Sequence, residues 1–144
     1  MEYHLIKDER ELEVLSEEWN ALLAESISNV PFLRHEYLSA WWQTRGGGEW
    51  EHAELATVTA RREGILVGIA PLFLAAYPKE KPALMLLGSL EISDYLDLIV
   101  RERDLAEFVP GLLDFLIDNA DTSWNSLEWF NVPEASISLV ILQS

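Results

Sequence analysis

The first part of the chain pairs a short alternating segment with apolar residues at helical spacing. Residues 3–6 predict a strand, and Asp8 with Glu11 has the D-x-x-E spacing of a capping box at a helix start. The apolar residues that follow lie on one helix face: Leu12, Leu15, Trp19, Leu22 and Leu23. This stripe predicts an amphipathic helix whose acidic residues lie in solvent.

A break at residues 29–31 separates this helix from a second one. Phe32 opens the second helical pattern, which ends at the glycines 46–48. Its apolar and aromatic positions are Tyr37, Leu38, Trp41 and Trp42. A phosphate-binding loop places its glycines between a strand and a following helix. These glycines follow a helix, so we interpret them as a helix stop and linker.

The middle of the chain changes to a strand pattern. Residues 55–60 and 65–75 are predicted strands, and the polar segment 61–64 joins them as an antiparallel hairpin. Because proline has no amide hydrogen, Pro71 predicts an edge, a bulge or a split in the second strand. Residues 83–87 predict a further strand that ends at Gly88.

Two more elements are predicted after Gly88. Residues 94–100 predict a strand that begins with a polar patch. Asp104 and Glu107 repeat the D-x-x-E helix start. The apolar face of that helix is Leu105, Phe108, Val109, Leu112, Leu113 and Leu116. Pro110 removes an amide donor, so we expect a kink there or a separate first turn.

The end of the chain predicts a strand over residues 126–130 and the start of a helix at 133–136. That helix is cut off at Ser144, so we expect a domain truncated at its C-terminal end.

Composition and charge narrow the possible functions. The chain has 144 residues, 49% of them hydrophobic, which fits a single domain. Its 25 acidic and 10 basic residues give a net charge of −15, which disfavours nucleic acid and anionic membranes as partners. The absence of cysteine excludes disulfides, thiolate nucleophiles and sulfur-bound zinc. With no basic leader and no apolar run of membrane-spanning length, we expect a cytoplasmic protein.

Several segments, taken in order, resemble one known family. They are PFLRHEY at 31–37 followed by the tryptophan pair 41–42, GILVGIAPL at 64–72, LGS at 87–89, SDYLD at 93–97, and Trp129 with NVPEAS at 131–136. Together they resemble the FemAB-like, cellulose-biosynthesis-type branch of the GNAT superfamily of N-acetyltransferases.

This resemblance implies an α/β (α+β) fold with a mixed, largely antiparallel sheet flanked by helices. Members of the family generally consist of two such halves, and residues 1–144 resemble the N-terminal half. Acyl-CoA is normally held in the other half, by an R/Q-x-x-G-x-G/A segment whose amides bind the pyrophosphate. Residues 43–48, QTRGGG, have this spacing, but their glycines follow a helical pattern instead of lying between a strand and a helix, so we expect no such loop in this sequence. We therefore expect acyl-CoA to bind only with a second half, and no cofactor to bind in this chain.

The segment 93–97 carries the candidate catalytic residues. Asp94 beside Tyr95 at a strand entrance could orient an amine and accept its proton. Asp97 is a candidate substrate-binding residue. Strand alternation would place it on the same face as Tyr95 and away from Asp94, so the two aspartates would not form a dyad. Alternatively, Asp94 caps a turn and Asp97 faces solvent.

Arg34 and His35 are candidate substrate-binding residues at the start of the second helix. His35 could act as a base or bind a substrate carboxylate together with Arg34; alternatively it is a surface residue of the helix start. His4 and His52 lack metal-ligand spacing relative to His35, so no metal site is expected.

Three further residues could contact a substrate: Trp41, Trp42 and Glu134. The tryptophans could form an aromatic wall together with Trp50, or they could pack in the core. Because neighbouring residues on a helix point in different directions, we expect at least one of the pair in the core and the other at its border. Glu134 could complement a helix dipole or lie near the junction with a second half.

Two functions are compatible with this sequence. The leading hypothesis is the substrate-side half of an N-acyltransferase that binds a small amine, paired with a second GNAT-like half or with a copy of itself. Uncovered apolar surface on an isolated half would favour such a pairing. The alternative is a non-catalytic module of the same fold, serving in assembly or ligand binding.

Overall fold

A computed structural model describes residues 1–44, 53–75, 83–88, 96–119 and 126–127. Its helices are α1 Glu9–Glu13, α2 Ser16–Ala24, α3 His35–Thr44 and α4 Glu102–Asp118, with a 3-10 turn at Pro31–Leu33. Its strands are β1 Glu2–Ile6, β2 Ala53–Leu55, β3 Thr57–Arg62, β4 Ile65–Ala70, β5 Leu72–Ala75, β6 Ala83–Leu86, β7 Ile99–Val100 and β8 Ser126–Leu127. None of the helices in these ranges is both long and apolar enough to cross a membrane.

The predicted first helix consists of two helices, α1 and α2. Asp8 caps α1 by accepting a hydrogen bond from the Arg10 amide at 2.9 Å, as its spacing predicts. The chain then turns at Val14, where the Leu15 amide bonds to the Leu12 carbonyl at 3.2 Å. All five residues of the predicted apolar stripe are nevertheless buried. The apolar spacing therefore predicted the burial correctly, while the local turn divided the helix.

The second helix begins at His35 rather than at Phe32. Residues Pro31–Leu33 form a 3-10 turn, and Arg34 is extended, which separates this turn from α3. The side chain of Asn20 accepts the His35 amide at 3.0 Å, so the cap of α3 comes from α2. A cap supplied by another helix leaves no local pattern in the sequence.

A long antiparallel hairpin forms the centre of the fold. Strand β3 pairs with β4, and β2 pairs with β5 in the same register, with Val58 opposite Ala70 and Leu55 opposite Phe73. The turn at Gly64 has φ of +82°, which glycine adopts without strain. Pro71 splits the second strand as predicted, and a break at Ala56, which was not predicted, splits the first. The hairpin therefore spans two four-stranded sheets, ordered β1-β3-β4-β7 and β2-β5-β6-β8.

Strands β6 and β7 follow one another along the same edge of this hairpin. Leu86 pairs with Leu72, and Ile99 pairs with Ile69, both in antiparallel register. Residues 87–98, which join the two strands and are called the excursion below, begin opposite Pro71, whose carbonyl accepts the Leu87 amide at 2.7 Å. Of the strand predicted at 94–100, residues 96–100 are described, and Ile99–Val100 form a strand there while 96–98 do not.

Two consecutive arginines at the hairpin tip bind helices on opposite faces of the sheet. Arg61 donates to both carboxylate oxygens of Glu18 in α2, at 2.7 and 3.1 Å. Arg62 donates to Asp104 at 3.0 Å and to Glu107 at 2.7 Å, both in α4. Successive residues of a strand point to opposite faces, so the sheet lies between α2 and α4.

Helix α4 begins two residues before the predicted start and runs through Pro110. Asp104 is therefore not the cap. It lies buried in the first turn, where it pairs with Arg62. The helix packs closely on β1, and the Tyr3 hydroxyl donates a hydrogen bond to the Phe108 carbonyl at 3.0 Å. Burial, with the nearby Glu107 and Asp114 carboxylates, raises the pKa of Tyr3 to about 12.

Candidate functional site

The excursion between β6 and β7 carries the predicted catalytic segment. Its two described ends are residues 87–88 and 96–98, and they meet the sheet where Pro71 divides the hairpin. Asp94 and Tyr95 lie outside the described residues. Their placement stays a prediction, but both ends of the segment that holds them belong to one point of the sheet.

Asp97 anchors this excursion from inside the fold. Its side chain is 0% exposed, so the interpretation that it faces solvent is wrong. One carboxylate oxygen accepts the Ser28 hydroxyl at 2.9 Å, and the other accepts the Leu98 amide at 2.8 Å. A buried carboxylate requires such donors, because an ion that loses its hydration without compensating hydrogen bonds is destabilised by on the order of several kcal/mol. With these two hydrogen bonds, Asp97 can hold the backbone at Leu98 in place.

The loop after α2 is tied to this anchor by two further contacts. The Ile27 amide donates to the Val100 carbonyl at 3.0 Å, which extends the edge of β7. Glu25 and Arg101 form an ion pair beside it. Ser28 was not a predicted site residue, because 69 positions separate it from Asp97 and no sequence spacing links them.

The structure separates Arg34 from His35. Arg34 is exposed and pairs with Glu36. Hydrogen bonds from Asn20, the Glu36 amide and Arg34 hold the pKa of Glu36 at about 2, well below its usual value. His35 is buried instead, with its Nε2 atom 2.7 Å from the Leu12 carbonyl. His35 lies near the predicted helix start, but the structure places it neither at the surface nor with Arg34 in a position to bind a carboxylate.

Trp41 and Trp42 both pack in the core. Their rings lie 5.3 Å and 6.0 Å from the ring of Phe73. Both side chains are buried, although Trp42 also borders an open cleft beside β2. We expected at least one of the pair in the core and the other at its border, and the structure places both in the core. Trp50 and Glu134 lie outside the described residues.

Acidic residues occupy the helix starts where an anion could otherwise bind. Within the described ranges, strands run directly into helices at two places, β1 into α1 and β7 into α4. The first turn of α1 carries Glu9 and Glu11, and that of α4 carries Glu102 and Asp104. These carboxylates already complement the helix dipoles and would repel a pyrophosphate. In the same ranges, no three His, Asp or Glu side chains are grouped to hold a metal ion.

No protein-family model and no curated protein matches this chain. Among solved structures, the chain is similar to a ribosomal-protein-alanine N-acetyltransferase from Brucella melitensis biovar Abortus 2308. The TM-score is 0.51 and the identity 18%, covering 94% of this chain and 83% of that chain. It is also similar to the aminoglycoside N-acetyltransferase AAC(6')-Iy in complex with CoA, with a TM-score of 0.45 and 13% identity, covering 99% and 87% of the two chains. The first likeness shows that the chain has an N-acetyltransferase fold, which confirms the predicted fold class.

Proposed function

We propose that this chain is the substrate-side half of an N-acyltransferase of the FemAB-like branch. It would bind a small amine, while a second GNAT-like half or a second copy of the chain would bind acyl-CoA. The observation that carries this proposal is the acidic first turn at the β7–α4 junction, on an N-acetyltransferase fold. A helix start with Glu102 and a buried Asp104 is poorly suited to the pyrophosphate of CoA.

The proposed chemistry places the amine at the excursion between β6 and β7. The amine nitrogen attacks the carbonyl carbon of the thioester, the carbon–sulfur bond breaks, and CoA leaves as the thiolate, which then takes up the proton that the amine has lost to its base and becomes the thiol. Asp94 would accept the proton that the amine loses, and Tyr95 would orient the amine. Ser28 and Asp97 would act as positioning residues, because they hold the end of the excursion that carries Asp94.

A titration of the chain with acetyl-CoA by calorimetry tests the absence of a CoA site. We expect no dissociation constant tighter than about 1 mM for the chain alone, since both described helices that directly follow a strand carry carboxylates in their first turns. A micromolar dissociation constant would overturn the half-enzyme proposal. If heat of binding is observed, the Arg101→Ala variant tests whether the β7–α4 junction is responsible, because Arg101 is the N-cap residue of α4.

The non-catalytic module is the competing function, and the same acidic helix starts are compatible with it. The requirement for a partner distinguishes these two functions. A half-enzyme requires a second polypeptide or domain with a strand followed by R/Q-x-x-G-x-G/A, encoded downstream or by a neighbouring gene. Acyl transfer to an amine should appear only when that partner is added. If no such partner is encoded, the binding module is favoured.

A further inference from the structure

We propose that the outer edge of β1 binds an extended, positively charged peptide segment of a partner protein by strand addition. Strand β1 ends the sheet β1-β3-β4-β7 on one side, whereas β7 and the excursion that leads into it lie on the other side. This edge is therefore separate from the candidate site, and the inference does not rest on the proposed function.

The helices leave β1 open along one side. Among the described residues, β3 is the one strand that pairs with it. Glu2 and His4 are exposed on one face of the strand, and Tyr3 and Leu5 are half-buried on the other. Residues 1–44 are described without a gap, so all of β1 and the chain that follows it are placed. An end strand of this kind is a template for pairing with another extended chain.

The register of the hairpin shows which main-chain groups of β1 face outwards. The Ala56 amide donates to a carbonyl of β5 at 3.1 Å, so Ala56 points away from β1 and the next residue, Thr57, points towards it. Thr57 is opposite Ile6, and the direction alternates from there along the ladder. Tyr3 and Leu5 therefore direct their amides and carbonyls away from β3.

These outward groups are available for pairing. Outside the β1–β3 ladder, no main-chain hydrogen bond of Tyr3 or Leu5 is found in the part of the chain that the structure describes. Each of the two residues offers one donor and one acceptor. They lie two positions apart, about 7 Å along a strand, which is the repeat at which an added strand presents its own amides and carbonyls.

Carboxylates on both faces of this edge select a basic segment. On one face, Glu2 belongs to the strand, and Glu11 of α1 hydrogen-bonds to the histidine of β1 at 2.8 Å. On the other face, burial is the main cause of the raised pKa of Tyr3, and the Glu107 and Asp114 carboxylates add to it, so both lie near its ring. These charges and the net charge of −15 attract a basic segment and repel an acidic one or a second copy of this chain.

The two faces also set the pattern of side chains in the added segment. Residues that hydrogen-bond to Tyr3 and Leu5 place their side chains on the same face as these two residues. Phe115 of α4 lies on that face, with its ring 5.8 Å from that of Tyr3, so apolar side chains fit there. Basic side chains then fall on the face of Glu2 and Glu11. Main-chain pairing supplies affinity, and the charges supply selectivity.

The probe for this site is an acetylated and amidated pentapeptide of alternating valine and lysine, titrated into the isotopically labelled chain. We expect the amide resonances of Tyr3 and Leu5 to shift. Methylating the valine nitrogens, which face β1, should weaken binding about tenfold or more, because hydrogen bonds are lost. Methylating the lysine nitrogens, which face away, should change the affinity much less. Replacing the lysines by glutamate should weaken binding about tenfold.

Two variants with equal charge change separate the edge from the general field. Glu2→Lys alters the edge, whereas Glu17→Lys alters the exposed surface of α2. We expect about a tenfold weaker affinity for the first and a much smaller effect for the second.

A third variant, Leu5→Pro, tests the main chain directly. It removes an outward amide that β3 does not use, and edge strands tolerate proline at such positions. We expect circular dichroism to show a retained fold and the peptide titration to show about a tenfold weaker affinity. If Leu5→Pro does not fold, the methylated peptides and the charge variants still decide.

Several outcomes would overturn the proposal. They are unshifted resonances of Tyr3 and Leu5, equal effects of the two methylated peptides, and equal effects of Glu2→Lys and Glu17→Lys. Equally tight binding of spermidine, which carries positive charge without a peptide backbone, would do the same. A dimer in analytical ultracentrifugation that Leu5→Pro dissociates would assign the edge to a second copy and would also overturn it.

Discussion

At the scale of single residues, the contact between Ser28 and Asp97 matters most for the candidate site. It joins the loop after α2 to the end of the excursion, and it supplies one of the donors to a carboxylate that is 0% exposed. Buried polar groups depend strongly on their partners, because a lost hydrogen bond there is not replaced by water. The position of Asp97, the last residue of the predicted segment 93–97, therefore depends on a serine far away in sequence.

We predict that Ser28→Ala destabilises the chain by about 1–3 kcal/mol, because the Asp97 carboxylate loses a donor. Urea unfolding of Ser28→Ala, Asp97→Asn and the double variant should give a coupling energy of about 1 kcal/mol or more. Ser16→Ala, at the half-buried start of α2, is the matched control and should be additive with Asp97→Asn. If the effects of the Ser28 and Asp97 substitutions on the free energy of unfolding are additive, the contact does not contribute to stability.

At the scale of elements, the packing of α4 on β1 explains a glycine inside a helix. A Cβ atom on Gly111 would lie 2.1 Å from the hydroxyl oxygen of Tyr3, which is too close for any real contact. The ring of Tyr3 also stacks on Phe108 and Phe115, with centroids 6.0 and 5.8 Å away. Helix propensity disfavours glycine here, so the close approach of the two elements decides the residue.

We predict that Gly111→Ala destabilises the chain by about 2 kcal/mol, although propensity alone would stabilise the helix by about 1 kcal/mol. Thermal and urea unfolding would measure the change. Tyr3→Leu removes the clashing hydroxyl, so the double variant should be more stable than the sum of the single effects predicts. A Gly111→Ala variant that is more stable than the unsubstituted chain would contradict the close packing of α4 on β1.

At the scale of the whole molecule, repulsion from the net charge of −15 destabilises the fold, whereas local ion pairs stabilise it. Hydrogen bonding from Arg61 lowers the pKa of Glu18 and raises that of Arg61 itself, and this pair joins α2 to the hairpin. Exposed pairs of this kind contribute about 0–1 kcal/mol each, and salt weakens them. The repulsion among the excess carboxylates acts over the whole surface and is also screened by salt.

We predict that raising NaCl from about 20 mM to about 300 mM increases the melting temperature, because long-range repulsion is screened more than short contacts are. Calorimetry or circular dichroism would follow the transition. Neutralising two exposed acids, Glu13→Gln with Glu17→Gln, should raise the melting temperature at low salt and reduce the salt dependence. A melting temperature that falls with salt would instead mean that the ion pairs dominate.

The sequence by itself determined the class of fold and most of the core. Apolar spacing identified the buried stripe of α1 and α2, and alternation with a glycine turn identified the central hairpin. The split at Pro71 was predicted too, because a missing amide donor is a property of the residue. These features depend on local periodicity and backbone chemistry, which can be read without knowing what packs against what.

Only the tertiary structure decided how the candidate site is held. The burial of His35 against Leu12 and the hydrogen bond from Ser28 to Asp97 both join residues distant in the chain. Asp97 was selected from a motif, but its role as an anchor follows from its burial. Contacts of this kind depend on where whole elements meet, and no spacing of residues along one element encodes that meeting point.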